Sequence, residues 1–113
     1  MNEGIERADA RLKEAFRRIN YNLGTNASVI DHTEVRDRQN RYLFAWHRHK
    51  NHLLFYLRRE ALDARTTLRQ SAIGQHGLEA VRQNNGRETL ITLTSEQDAE
   101  KLVDWLIPKL PLP

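Results

Sequence analysis

Apolar residues in the first part of the chain recur at steps of three and four: Ile5, Ala8, Leu12, Phe16, Ile19 and Leu23, with Arg7, Arg11, Glu14 and Arg18 off that stripe. A repeat near 3.6 puts one apolar face along a helix, so the pattern predicts an amphipathic helix over roughly residues 3 to 21. Glu3/Arg7 and Glu14/Arg18 are i,i+4 pairs in the favourable order, and Asn22, Gly24, Thr25 and Asn26 supply stop and turn chemistry.

The period then falls to two. Ser28 to Val35 reads as a short strand, and the polar run Arg36 to Asn40 as a turn. Tyr42, Phe44 and Trp46 alternate with Leu43, Ala45 and His47, after which Leu53, Phe55 and Leu57 alternate with His52, Leu54 and Tyr56. Alternation sends successive side chains to opposite faces, so two strands joined by a turn near Arg48 to Asn51 are expected.

Residues 60 to 72 have no clean period and suit either a short helix or an irregular crossing. The two glycines of Ile73 to Gly77 predict a tight turn, and no Walker or dinucleotide fingerprint surrounds them. Asn84, Asn85 and Gly86 separate the strand-like runs Leu78 to Gln83 and Arg87 to Leu93, which predicts a hairpin with a type I′ turn. Thr94, Ser95 and Asp98 form a variant capping box ahead of a last helix whose stripe is Ala99, Leu102, Val103 and Leu106. Pro108 should end that helix. Residues 108–113 are expected as an extended Pro/Leu tail, with leucines able to pack back on the body.

These elements describe a single α+β domain over residues 1–107: an N-terminal helix, an antiparallel sheet of four or five strands and a C-terminal helix, both helices on one sheet face. Its 113 residues are 39% hydrophobic, enough for one modest core. Cysteine is absent, which excludes a disulfide framework and a thiolate metal site. The N-terminus lacks the continuous apolar core of a signal peptide or membrane span, so a cytoplasmic protein without a membrane partner is expected.

Charge changes the picture more than composition does. Residues 36 to 59 carry seven Arg/Lys against one acid, Asp37, leaving the rest of a +3 chain at about −3. Arginine supplies 14 of the 18 cations, and its planar fork suits phosphate and aromatic faces as well as carboxylates. Arg36, Arg38, Arg41, Arg48, Lys50, Arg58 and Arg59, with His47 and His49, are therefore candidate contacts to a nucleic-acid backbone, with Tyr42, Trp46 and Tyr56 as stacking faces.

Competing chemistry is less well supplied. His47, His49 and His52 have a spacing that permits a chelate, but no carboxylate lies between Asp37 and Glu60, and Arg48 and Lys50 sit among the imidazoles. No metal or other cofactor is expected. The acids are scattered as helix and strand residues rather than gathered to hold Mg²⁺, and no serine sits in a nucleophile context, so an enzyme is disfavoured.

Over roughly residues 40 to 107 the chain resembles a family of small domains of unknown function, found alone or at the C-terminal end of restriction-type nuclease and defence proteins and sometimes labelled predicted transport proteins. The resemblance lies in the run Leu53 to Leu57, the turn Ile73 to Gly77, Glu88 leading into Leu90 to Leu93, and the closing helix from Ser95 to Ile107. The segment Leu78 to Asn85 is longer here than in that family. The resemblance implies an accessory role near DNA and carries over no catalytic residue.

The leading expectation is a non-catalytic module for the DNA or RNA backbone, accessory to a defence or restriction system. The alternative is a protein-interaction or homodimerisation domain, with Tyr42, Trp46, Tyr56 and the Pro/Leu tail as its apolar patch.

Overall fold

The stripe from Ile5 to Phe16 does form a helix, α1 (Glu3–Arg18), whose N-terminus is capped by Asn2: its side-chain oxygen accepts from the N–H groups of Gly4 and Ile5. The computed structural model describes residues 2–26, 29–84 and 87–113, with the backbone alone at 26, 29 and 30. After α1 the chain turns through Asn20, held at φ 61°, a left-handed conformation that asparagine tolerates.

Six strands follow: β1 (Asn22–Asn26), β2 (Val29–Arg36), β3 (Tyr42–Arg48), β4 (Leu53–Leu57), β5 (Val81–Gln83) and β6 (Thr89–Leu93). They form one antiparallel sheet in the order β1-β2-β3-β4-β6-β5. Two short helices, α2 (Arg59–Ala64) and α3 (Leu68–His76), bridge β4 to β5, and α4 (Glu96–Leu106) closes the chain before a 3-10 turn over Ile107–Lys109.

The sheet has six strands rather than four or five because Asn22 to Asn26, expected as turn residues, pair along β2 with Leu23 opposite Val35. Backbone pairing to an established neighbour outweighs the poor strand propensity of that segment. A second correction concerns Ile73 to Gly77. The helix α3 runs through Gly74 and stops only at Gly77, whose φ of +86° suits glycine and whose N–H bonds the Ile73 carbonyl. Leu68 and Ala72, both fully buried one turn apart, hold α3 against the core and offset the roughly 1 kcal/mol that an interior glycine costs.

Strand β5 is also shorter than the run Leu78 to Gln83 suggests: Leu78 is 76% exposed and the strand begins at Val81. β5 and β6 pair as the expected hairpin, while Asn85 and Gly86 of its predicted turn lie outside the described residues. Asn84 closes the hairpin from one side by donating to Glu88 Oε1 and accepting from the Glu88 N–H.

One sheet face is buried. Phe44, Trp46, Leu53, Phe55, Leu57, Ile91 and Leu93 share a single cluster with Ile5, Leu12 and Phe16 of α1, Ala61 of α2, Leu68 and Ala72 of α3, and Leu102 and Leu106 of α4. The Phe16 ring lies 5.6 Å from Phe44, 6.0 Å from Trp46 and 6.5 Å from Phe55, so one aromatic residue of α1 joins the two central strands. Trp46 is fully buried, and its indole N–H donates to Asp9 at 2.8 Å. It cannot serve as a surface contact.

Leu112 of the tail is seated in the same cluster, following the 3-10 turn with which the tail begins. No described helix is long and apolar enough to cross a membrane.

Candidate functional site

Because the buried side chains of all four described helices join the cluster on the inner face, apart from Asp9, which bonds to inward-facing Trp46, the opposite face carries no helix among the described residues. The alternation and the register place His32 opposite His47, Ala45 opposite Tyr56, His47 opposite Leu54, and Tyr56 opposite Leu90, which in turn faces Arg82. These side chains line the open face.

Tyr42 joins them through a bulge. Val35 pairs with Phe44 and Arg36 with Tyr42, so one extra residue, Leu43, sits in β3 at that step. The alternation shifts there, and Tyr42 shares the face of Arg36 instead of that of Phe44. The guanidinium of Arg58 lies 3.6 Å from the Tyr42 ring centre and that of Arg36 4.8 Å. The Tyr42 hydroxyl is 3.2 Å from His32 Nε2, and burial, reinforced by Glu34, pushes its pKa up to about 12.

Both cations at this end are also paired. Arg58 bridges Glu60 at 2.7 Å and Glu88 at 3.5 Å, and Arg36 lies 3.7 Å from Glu34. Tyr42 is thus a packing centre for its own neighbours, with its ring covered by two guanidiniums.

The other end of the face is different. His32, His47, His49 and His52 form a row of rings with centroid separations of 6.2, 4.6 and 4.4 Å, the last pair nearly parallel at 13°. The turn that brings them together is closed by the His49 N–H donating to the His52 carbonyl at 2.8 Å. Burial lowers the pKa of His47, helped by the neighbouring imidazoles of His49 and His32; burial also lowers that of His52, helped by His49 and Arg82. Both rings are therefore neutral at pH 7. The imidazoles follow one another in a row, tilted at His32/His47 and His47/His49 and stacked at His49/His52, and among the described residues no group of three or more His, Asp or Glu side chains is arranged to hold a metal ion.

The structure scatters the arginines that lie close in sequence. Arg48 bonds Asp31 at 2.8 Å and approaches Asp9 at 3.8 Å, while Arg41 is locked to Asp37 at 2.8 Å. Asp37 is itself buried, and the donors from Arg41 and the Gln39 N–H overcome the burial penalty and hold its carboxyl below the usual carboxylate range. Arg38 donates to the Ile19 carbonyl beside the end of α1, and Arg59 faces Asp63 at 3.8 Å in an exposed pair. A charge count along the sequence cannot show this dispersal, since it records proximity along the chain and not the carboxylates that reach in from α1, β2, α2 and the residue before β6.

Of the expected site residues, His47, His49 and Tyr56 come together on the open face, with Lys50 exposed in the adjoining turn. Trp46, Arg38, Arg41 and Arg59 do not join them. Three residues outside that expected set do: His32, opposite His47; His52, weighed in the sequence only as a metal ligand and here stacked on His49; and Arg82, which sequence reasoning passed over and which acts on His52 from β5. The hairpin signal around Asn84 located β5, but only the pairing of β6 with β4 brings Arg82 across to the histidines.

The arrangement offers imidazole N–H donors, one half-buried phenol ring and two exposed cations, Lys50 and Arg82, that meet no carboxylate among the described residues. It can hydrogen-bond and stack. Searches with family models, against curated proteins and against solved structures give no match to this chain.

Proposed function

We propose that the histidine end of the open sheet face binds single-stranded nucleic acid with little sequence preference, as a non-catalytic accessory module. The observation that carries this reading is the row of adjacent imidazoles His32-His47-His49-His52, its last pair stacked, on a sheet face that no described helix covers, flanked by Arg82 and Lys50. Phosphates supply the attraction for the cations, imidazole N–H groups donate to phosphate oxygens, and the Tyr56 ring gives a base a face to stack on. The resemblance to domains attached to restriction-type nucleases fits the same role in a defence setting.

The cation count sets the scale. Two cations that meet no carboxylate among the described residues, beside neutral His47 and His52, make a weak, salt-sensitive interface at pH 7, since each phosphate contact on a single strand contributes a slope of about −0.7 in log K against log salt. The protein-interaction reading has less behind it, because Trp46 and Leu112 are buried and the apolar residues of the open face, Ala45, Leu54 and Leu90, are already only 3–6% exposed.

The test is fluorescence anisotropy of a labelled single-stranded oligonucleotide at low and at physiological salt. Binding at low salt is expected, with Tyr56→Ala weakening it about tenfold and the double variant Lys50→Gln/Arg82→Gln flattening the salt slope by about 1.4. Absence of binding at low salt, or a double variant whose slope matches the parent, overturns the proposal.

A further inference from the structure

A cleft of about 500 Å³ opens at the far end of α1, away from the histidine row in both sequence and lining. That volume lies in the range of small-molecule sites. Three segments meet there: Arg18, Ile19 and Tyr21 from the end of α1, the β2–β3 turn with Asp37, Arg38 and Arg41, and Leu110 to Leu112 of the tail.

The charged groups are unevenly committed. Arg41 is fully engaged, its guanidinium donating to Asp37 and to the carbonyls of Leu112 and Pro113, so Arg41 and Asp37 together act as a neutral wall. Arg38 gives a single long hydrogen bond, 3.3 Å to the Ile19 carbonyl, and meets no carboxylate among the described residues. Among the described residues Arg18 pairs only with Glu14, and both partners are more than half exposed, so a competing anion displaces Glu14 at little cost. Two guanidiniums at this cleft thus remain open to an anion.

The remaining lining is apolar, from Ile19, Leu110 and Pro111, with Tyr21 behind it. Tyr21 is 7% exposed and its hydroxyl is buried with no hydrogen-bond partner among the described residues. An unsatisfied buried hydroxyl is uncommon, and one beside a cleft is accounted for by a ligand that supplies an acceptor. Burial, with Asp37 adding to it, raises the Tyr21 pKa, so the group remains a donor at neutral pH.

We infer that this cleft binds a small amphiphilic anion, with its apolar body against Ile19, Leu110 and Pro111 and a carboxylate or phosphate head on Arg38 and Arg18. Such a ligand matches both halves of the lining, whereas inorganic phosphate leaves the apolar half unused and a neutral alcohol gives neither guanidinium a charged partner. The site is separate from the sheet face and uses none of the residues that the oligonucleotide experiment alters, so the failure of either leaves the other standing.

The test is calorimetric titration of the whole chain with decanoate, decyl phosphate, decanol and inorganic phosphate. At least one of the two amphiphilic anions is expected to bind about tenfold or more tightly than decanol and than inorganic phosphate, and the tighter of the two identifies the head group. Arg38→Gln and Arg18→Gln, both at exposed positions, should each weaken that anion several-fold while leaving the decanol affinity unchanged. Tyr21→Phe, which removes only the hydroxyl, should weaken the anion. Equal binding of decanol and the anions, no binding of either anion, or anion affinities unmoved by both arginine variants overturns the inference.

Discussion

His76 closes α3 with its ring edge-on to Trp105, centroids 5.5 Å apart, and with Nε2 buried and unpartnered among the described residues. Burial, aided by the charge of Lys101, lowers its pKa from 6.5 to about 4. Above pH 6.5 the ring is neutral in both the folded and the unfolded chain and contributes no pH dependence. Below 6.5 the unfolded chain takes up a proton that the folded protein refuses until about pH 4, so stability falls across that window and the loss is complete below it. His47 and His52, also lowered, act in the same direction. Urea unfolding at about pH 7 and about pH 5 should show a smaller loss of stability for His76→Asn than for the parent, by on the order of 1 kcal/mol after allowance for solvent screening. Equal losses would remove His76 as a cause. The sequence places His76 between two glycines and so suggests a turn. What buries it is Trp105, 29 positions away and visible only once α3 and α4 pack together.

At the scale of elements, legibility follows locality. The Ser95 box could be read because its partners lie within four residues: Ser95 Oγ accepts from the Asp98 N–H at 3.1 Å, and Asp98 reaches back to the N–H of Thr94 at 2.8 Å. The first helix was equally legible in its 3.6-residue stripe, which needs no distant information, although it stops at Arg18 instead of continuing to about residue 21. β1 was not, because Asn22, Gly24, Thr25 and Asn26 carry turn chemistry and become a strand only by pairing with β2. The Leu43 bulge is similar: strict alternation sends Tyr42 inward with Phe44, and one added residue reverses it. Of these features the cap has the most direct test. Ser95→Ala should cost about 1 kcal/mol of global stability by chemical denaturation, because α4 packs on α1 and cannot fray alone. A change below a few tenths of a kcal/mol would mean that Asp98 and solvent satisfy the first turn without Ser95.

For the whole molecule, the organising fact is that both ends of the described chain meet one core. Leu112 is 4% exposed in the cluster that also holds Ile5 of the first helix, and Arg41 clips the tail to the β2–β3 turn by donating to the carbonyls of Leu112 at 3.0 Å and Pro113 at 2.8 Å. The same guanidinium holds buried Asp37 through Nε. One arginine therefore connects the turn's carboxylate to the tail's backbone, a use of charge that a count of cations between residues 36 and 59 assigns to phosphate. Two consequences differ in mechanism. Leu112→Ala removes a buried side chain and should destabilise by about 2–4 kcal/mol, less to the extent that the tail collapses into the space. Arg41→Lys keeps the charge but not the fork, so it cannot hold Asp37 and both carbonyls together. If the clip and the leucine act as one unit, the double variant should be less destabilised than the sum of the two by at least about 0.5 kcal/mol, because once the tail is released the leucine has little left to lose. Strict additivity in a urea-denaturation cycle would instead mean that Leu112 stays seated without Arg41, and that the tail is held by its apolar contact alone.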